Sequence, residues 1–193
     1  MHPSQFDLSA QRNSRLQQTG PQLNHSRRND SFESDECSDE EELARTAYHE
    51  AGHCVMAVLC GARACHASVS PEEESFFGQV DIQWPRSRSY MDEVAVILAG
   101  PVAEMIYRGE PLHPGFVPEW SLDWQQAWRL ARPRAESDMK CLEMMERLIA
   151  KLHRSMSEDN VWSAIAAVQD LLLAYEDIEH EQIEYEVRSW VSR

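Results

Sequence analysis

The chain has 193 residues, with 33 acidic against 18 basic side chains and a formal net charge of −15 at pH 7. That length is enough for one domain with a substantial core, and the charge sets aside nucleic acid and anionic membrane surfaces, both of which repel an acidic protein. No apolar run approaches the roughly eighteen residues of a membrane span, and the N-terminus lacks a basic segment followed by an apolar one. With five irregularly spaced cysteines, which fit a reducing compartment, the reading is a cytoplasmic protein without membrane insertion.

Residues 1–40 are rich in Gln, Asn, Ser and Arg and then in acids, without the periodic apolar pattern that a core requires. They are expected to form a disordered tail ahead of a folded domain at 41–193. The first predicted element is a helix at 41–59, where Leu43, Ala44, Ala47, Ala51, Val55, Val58 and Leu59 make a stripe and Gly61 supplies a stop. Segments 63–70 and 78–84 read as a hairpin across an acidic turn at 71–75. The second alternates Val80, Ile82 and Trp84 with Gln79, Asp81 and Gln83, the pattern of a half-buried strand.

A second helix is predicted at 90–108, with Gly100-Pro101 allowing close approach or a bend. Pro111, Pro114 and Pro118 make 110–119 a loop. Ser121 is expected to cap a helix at 122–132 that Pro133 ends. Helical patterns at 135–153, 161–174 and 178–191 complete a mainly helical domain with a small β-hairpin beside the first helix.

Within that first helix lies His49-Glu50-Ala51-Gly52-His53, an HExxH sequence. Residues i and i+4 share a helix face, so two imidazoles can meet one metal ion. Glu50 then falls beside the ion without being a ligand, as a general base for water requires. An incidental histidine pair on an amphipathic helix is the plain alternative.

Four blocks in order carry a family resemblance. Residues 45–58 (RTAYHEAGHCVMAV) resemble the zinc helix of FtsH-type peptidases, the proteolytic part of AAA proteases, which reads close to VAYHEAGHALVA. Residues 78–85 (GQVDIQWP) resemble that family's glycine-led strand, 98–104 (LAGPVAE) its LAGRAAE helix and 121–127 (SLDWQQA) its SNDLxxA segment. The resemblance spans about residues 41–185 and weakens after Pro133.

It implies an FtsH peptidase-like fold, a zinc ion held by His49, His53 and Asp123, and Glu50 as the base for hydrolysis of peptide bonds in unfolded polypeptide. It also implies that substrate binds as an added strand along Gly78, Val80 and Ile82. Glu104 is expected to orient a ligand histidine through its second ring N–H. In the alternative, Glu104 itself completes a His-His-Glu set and Asp123, in the first turn of its helix, only complements the helix dipole.

The chain departs from the family pattern at Pro101 and Trp128, and the hairpin turn at 71–74 is acidic or shortened. It has no GxxxxGK[ST] loop to cradle nucleotide phosphates. Folded substrates are therefore expected to resist cleavage unless a separate ATPase partner supplies the unfolding; an independent peptidase for short or damaged chains is the competing expectation, and a homo-oligomer the alternative assembly. The rival is a non-catalytic interaction module on the same scaffold. His180-Glu181-Gln182-Ile183-Glu184 imitates the motif but reads as a solvated helix face, and His66, His113 and His153 lack partners at ligand spacing.

Overall fold

The computed structural model describes residues 5–7, 31–72, 75–109, 117 and 120–191. Among these the architecture is mainly helical with a small antiparallel sheet. The elements in chain order are β1 (Gln5–Asp7), α1 (Ser31–Leu59), β2 (Arg63–Glu72), β3 (Ser75–Gln83), α2 (Tyr90–Arg108) and α3 (Ser121–Ala131). A 3₁₀ turn (Arg132–Arg134), α4 (Asp138–Met156), α5 (Asp159–Tyr175), β4 (Asp177–Glu179) and α6 (His180–Val191) follow.

Helix α1 is the central element. It packs on α2, α5 and the β2–β3 hairpin, and that surrounding explains why its polar positions between 46 and 53 are as buried as its apolar ones. Ala47, Ala51, Cys54 and Val55 are in the core, and Thr46, His49, Glu50 and His53 are buried beside them. Its start at Ser31 lies ten residues ahead of the start expected at 41, within the segment expected to be disordered. The rest of that leader, apart from Gln5–Asp7, lies outside the described residues. The helix ends at Leu59, and Gly61 two residues on, with φ 75°, takes the left-handed conformation that glycine adopts without strain.

The sheet order is β1-β3-β2-β4. β2 and β3 pair antiparallel, with Val69 opposite Gly78 and Ala67 opposite Val80, and the register shifts between Ala64 and His66. The shift inserts one residue, so the buried positions of β2 fall at Ala64, Ala67 and Val69 rather than in strict alternation. Gly78, Val80 and Ile82 of β3 alternate toward α1 without interruption. Both strands extend past their expected ends, shrinking the turn at 71–75. β4 was not expected: Asp177–Glu179 pairs with 66–68 of β2, where a helix was predicted from 178.

Helix α2 occupies the predicted span. Ser89 caps it by accepting from the Met91 N–H at 3.2 Å, and Gly109 ends it at φ 66°. Its residues from Glu93 to Met105 are all buried, because it is covered by α1, α3 and α4. Gly52 is a contact point between α1 and α2: a Cβ there would lie 2.6 Å from the Ala99 carbonyl oxygen. Helix α3 starts one residue earlier than expected, so Ser121 is its first residue rather than its cap. The cap position is Trp120, which makes no capping bond and whose indole is engaged elsewhere. The loop expected at 110–119 lies outside the described residues except for Val117.

Among the described residues, no helix is long and apolar enough to cross a membrane.

Candidate metal centre

Helix α1 presents His49 and His53 one turn apart, with ring centroids 4.8 Å apart and planes inclined by 74°. Asp123 arrives from the first turn of α3, 74 positions beyond His49. Its carboxylate bridges the pair: Oδ2 is 3.0 Å from His49 Nε2 and Oδ1 is 3.9 Å from His53 Nε2. Tetrahedral ligands with bonds of 2.0–2.2 Å stand about 3.4 Å apart, which lies between these two separations. The three residues form a buried group whose ligand atoms all lie within 4.8 Å of one another, and they could hold a metal ion.

Three further observations fit a cation. His53 Nδ1 is 2.8 Å from the Val96 carbonyl oxygen; a carbonyl only accepts, so Nδ1 carries the proton and Nε2 keeps its lone pair toward Asp123. Burial, partly offset by the Asp123 charge, pushes the His53 pKa down to about 4, so the ring is neutral as a ligand must be. Gly100 of α2 keeps the space at the rings open: a Cβ there would lie 2.6 Å from His53 Cε1 and 2.7 Å from His49 Cδ2.

His49 differs from His53. Burial lowers its pKa, but the hydrogen bond to Asp123 and the Glu104 carboxylate on its other side outweigh this and raise it to about 9. Two carboxylates face one imidazole from opposite sides, which is the situation a bound cation would relieve.

Glu104 of α2 faces the other nitrogen of that ring, with Oε2 3.4 Å from His49 Nδ1. Its oxygens are also approached by the Trp120 indole N–H, which donates to Oε2 at 2.6 Å, and by Arg108 Nη1, 3.8 Å from Oε1. Glu104 therefore stands behind His49, and Asp123 stands where the two Nε2 atoms converge. Sequence reasoning singled out Glu104 but not Trp120, which is fully buried. An isolated tryptophan after a proline-rich stretch carries no periodic signal.

Glu50 is buried on α1 and reaches toward β3, where Gly78 lies directly over its carboxylate. A Cβ at Gly78 would collide with Oε1 and lie 2.6 Å from Cδ and Cγ. Of the residues expected to bind substrate, Val80 and Ile82 turn their side chains into the core, leaving only backbone for an added strand. At 81–83 the edge of β3 away from β2 is taken by β1, with Phe6 opposite Ile82.

His66 does have partners, contrary to the sequence reading. Asp177 Oδ2 is 2.8 Å from its Nε2, and Glu179 completes a second group that could hold a metal ion. Those carboxylates come from β4, 111 positions away for Asp177, so no local spacing reveals them. His180 Nδ1 sits 3.0 Å from the Ala64 carbonyl and its Nε2 pairs with Glu184; it docks α6 on the sheet. His113 lies outside the described residues.

Compared with models of known protein families and with curated proteins, the chain matches none of them.

Proposed function

We propose that this chain is a zinc-dependent metallopeptidase of the FtsH type that hydrolyses peptide bonds in unfolded polypeptide. The observation that carries the reading is the convergence of Asp123, from a helix far along the chain, on the Nε2 atoms of the HExxH histidines. Two imidazoles and one carboxylate are the donor set of a catalytic zinc site rather than a closed structural one. Zinc, when bound there, supplies Lewis acidity that acidifies water and polarises a carbonyl oxygen.

The protein's own groups perform the remaining steps. Glu50 lies between the two histidines in sequence and is buried against β3, where it can take the proton of the attacking water and return it to the leaving amine. Glu104 orients His49 from behind. The backbone of Gly78 to Val80, nearest Glu50, offers hydrogen bonds to an extended substrate and so tolerates many sequences. A folded substrate presents no such strand, so a separate ATPase would have to supply unfolding for it.

The test is metal analysis of the purified chain combined with cleavage of an unfolded, casein-like substrate. One zinc per chain and chelator-sensitive cleavage are expected. Glu50→Gln should retain the metal and lower turnover by about 10²- to 10⁴-fold; equal turnover in that variant, or a chain without metal affinity, refutes the reading.

A further inference from the structure

We infer that Trp120 is a positioning residue for the metal centre, acting on His49 through Glu104; the inference rests on the metallopeptidase reading above. The turn that opens α3 delivers two side chains three positions apart to opposite ends of one imidazole. Asp123 meets Nε2 of His49 directly at 3.0 Å. Trp120 reaches Nδ1 indirectly, donating its indole N–H to Glu104 Oε2 at 2.6 Å, and that same oxygen is 3.4 Å from Nδ1.

Trp120 and Glu104 are both almost completely buried, so the carboxylate cannot recruit bulk water in place of the indole. The indole has one donor and no acceptor, so its hydrogen bond to Glu104 is that single N–H given to Oε2. The Arg108 head approaches the other oxygen, at 3.8 Å from Oε1. Trp120 makes no capping bond to α3; its single polar atom is spent on Glu104. The consequence is a fixed Glu104 oxygen 3.4 Å behind Nδ1, which holds the ring with Nε2 directed at the metal.

The test is Trp120→Phe, which removes the donor and keeps most of the ring volume, measured beside Glu104→Gln and the double variant. Zinc affinity is read by competition with a chromophoric chelator, and ligand geometry by the visible spectrum of the cobalt-substituted protein. Trp120→Phe should weaken zinc binding by about 10- to 100-fold and shift the cobalt bands. In the Glu104→Gln background the same change should add little, because both act on one group.

Affinity within twofold of wild type with an unchanged cobalt spectrum overturns the inference, as does a full additive loss in the double variant. Both leave the metallopeptidase reading standing. A wild-type chain that binds neither zinc nor cobalt overturns both. Should Trp120→Phe fail to fold, hydrogen exchange of the indole N–H groups in the wild-type chain decides. Zinc loading must slow one of the six, and an unchanged set overturns the inference.

Discussion

Replacing Gly100 by alanine tests whether the space between α1 and α2 exists for a metal ion. The added methyl would lie 2.6 Å from His53 Cε1 and 2.7 Å from His49 Cδ2, roughly 1 Å inside an ordinary carbon contact of about 3.5–4.0 Å. Each ring is tethered, so moving it breaks a contact. His53 of α1 is tied through Nδ1 to the Val96 carbonyl of α2, and His49 is held between Asp123 and Glu104. For folding the effects oppose each other: alanine is favoured over glycine inside a helix by about 1 kcal/mol, and overpacking costs about 1–3 kcal/mol. The net loss of about 0–2 kcal/mol lowers the melting temperature by no more than about 8 °C.

Metal binding has no such compensation, because a nitrogen displaced by about 1 Å cannot keep a bond of about 2.1 Å. Zinc affinity should fall at least about 100-fold, equivalent to about 2.7 kcal/mol. Chelator competition and thermal melting of the metal-free protein measure the two effects separately. Gly109→Ala is the control: among the described residues, its chain neighbours aside, no atom lies within 4 Å of its Cβ position, but its φ is 66°. It should cost about 1–2 kcal/mol of stability and leave zinc affinity unchanged. Zinc binding by Gly100→Ala within threefold of wild type would refute the argument that this glycine clears the site.

Gly78→Ala should push the Glu50 carboxylate aside while sparing the ligands, so that turnover falls toward that of Glu50→Gln and zinc content stays at one; normal turnover on the unfolded substrate would refute it. Deleting residues 1–30 should leave the melting temperature nearly unchanged, since the buried core of the described residues begins at Ala47, with Leu43 packed against it. The same deletion frees the β3 edge that β1 covers at 81–83, so kcat/KM for extended peptides should rise, and a fall in either quantity counts against this account. Zinc affinity should increase about tenfold per pH unit up to about pH 9, because His49, raised to about 9, must release a proton to bind. Conversely, the stability that His49 gives the metal-free fold is fully present below its unfolded value of about 6.5. It is lost as pH rises through 9, so the metal-free melting temperature should drop across that window, and a flat profile in either titration would refute the assignment.

Local information was enough for the features that depend on a few neighbouring residues. The i, i+4 histidines with Glu50 between them follow from helix periodicity, as do the helix at Tyr90–Arg108 with its Ser89 and Gly109 ends and the stop at Gly61. The alternation of Val80 and Ile82 marked β3. Asp123 and Glu104 were visible as acids in motif-like segments, and the family resemblance implied their division of labour while leaving Glu104 as the alternative ligand. Which of them meets the Nε2 atoms and which stands behind His49 depends on how α2 and α3 cross α1, a matter of packing between segments far apart in the chain. Trp120 and the pairing of His66 with β4 stayed hidden for the same reason. So did the β1 strand on β3, because a sheet edge is satisfied by whichever backbone reaches it and side-chain pattern does not specify the donor. The burial of the whole HExxH turn likewise came only from the tertiary structure: a helix surrounded on all sides buries its polar face together with its apolar one, and a sequence stripe reports only the latter.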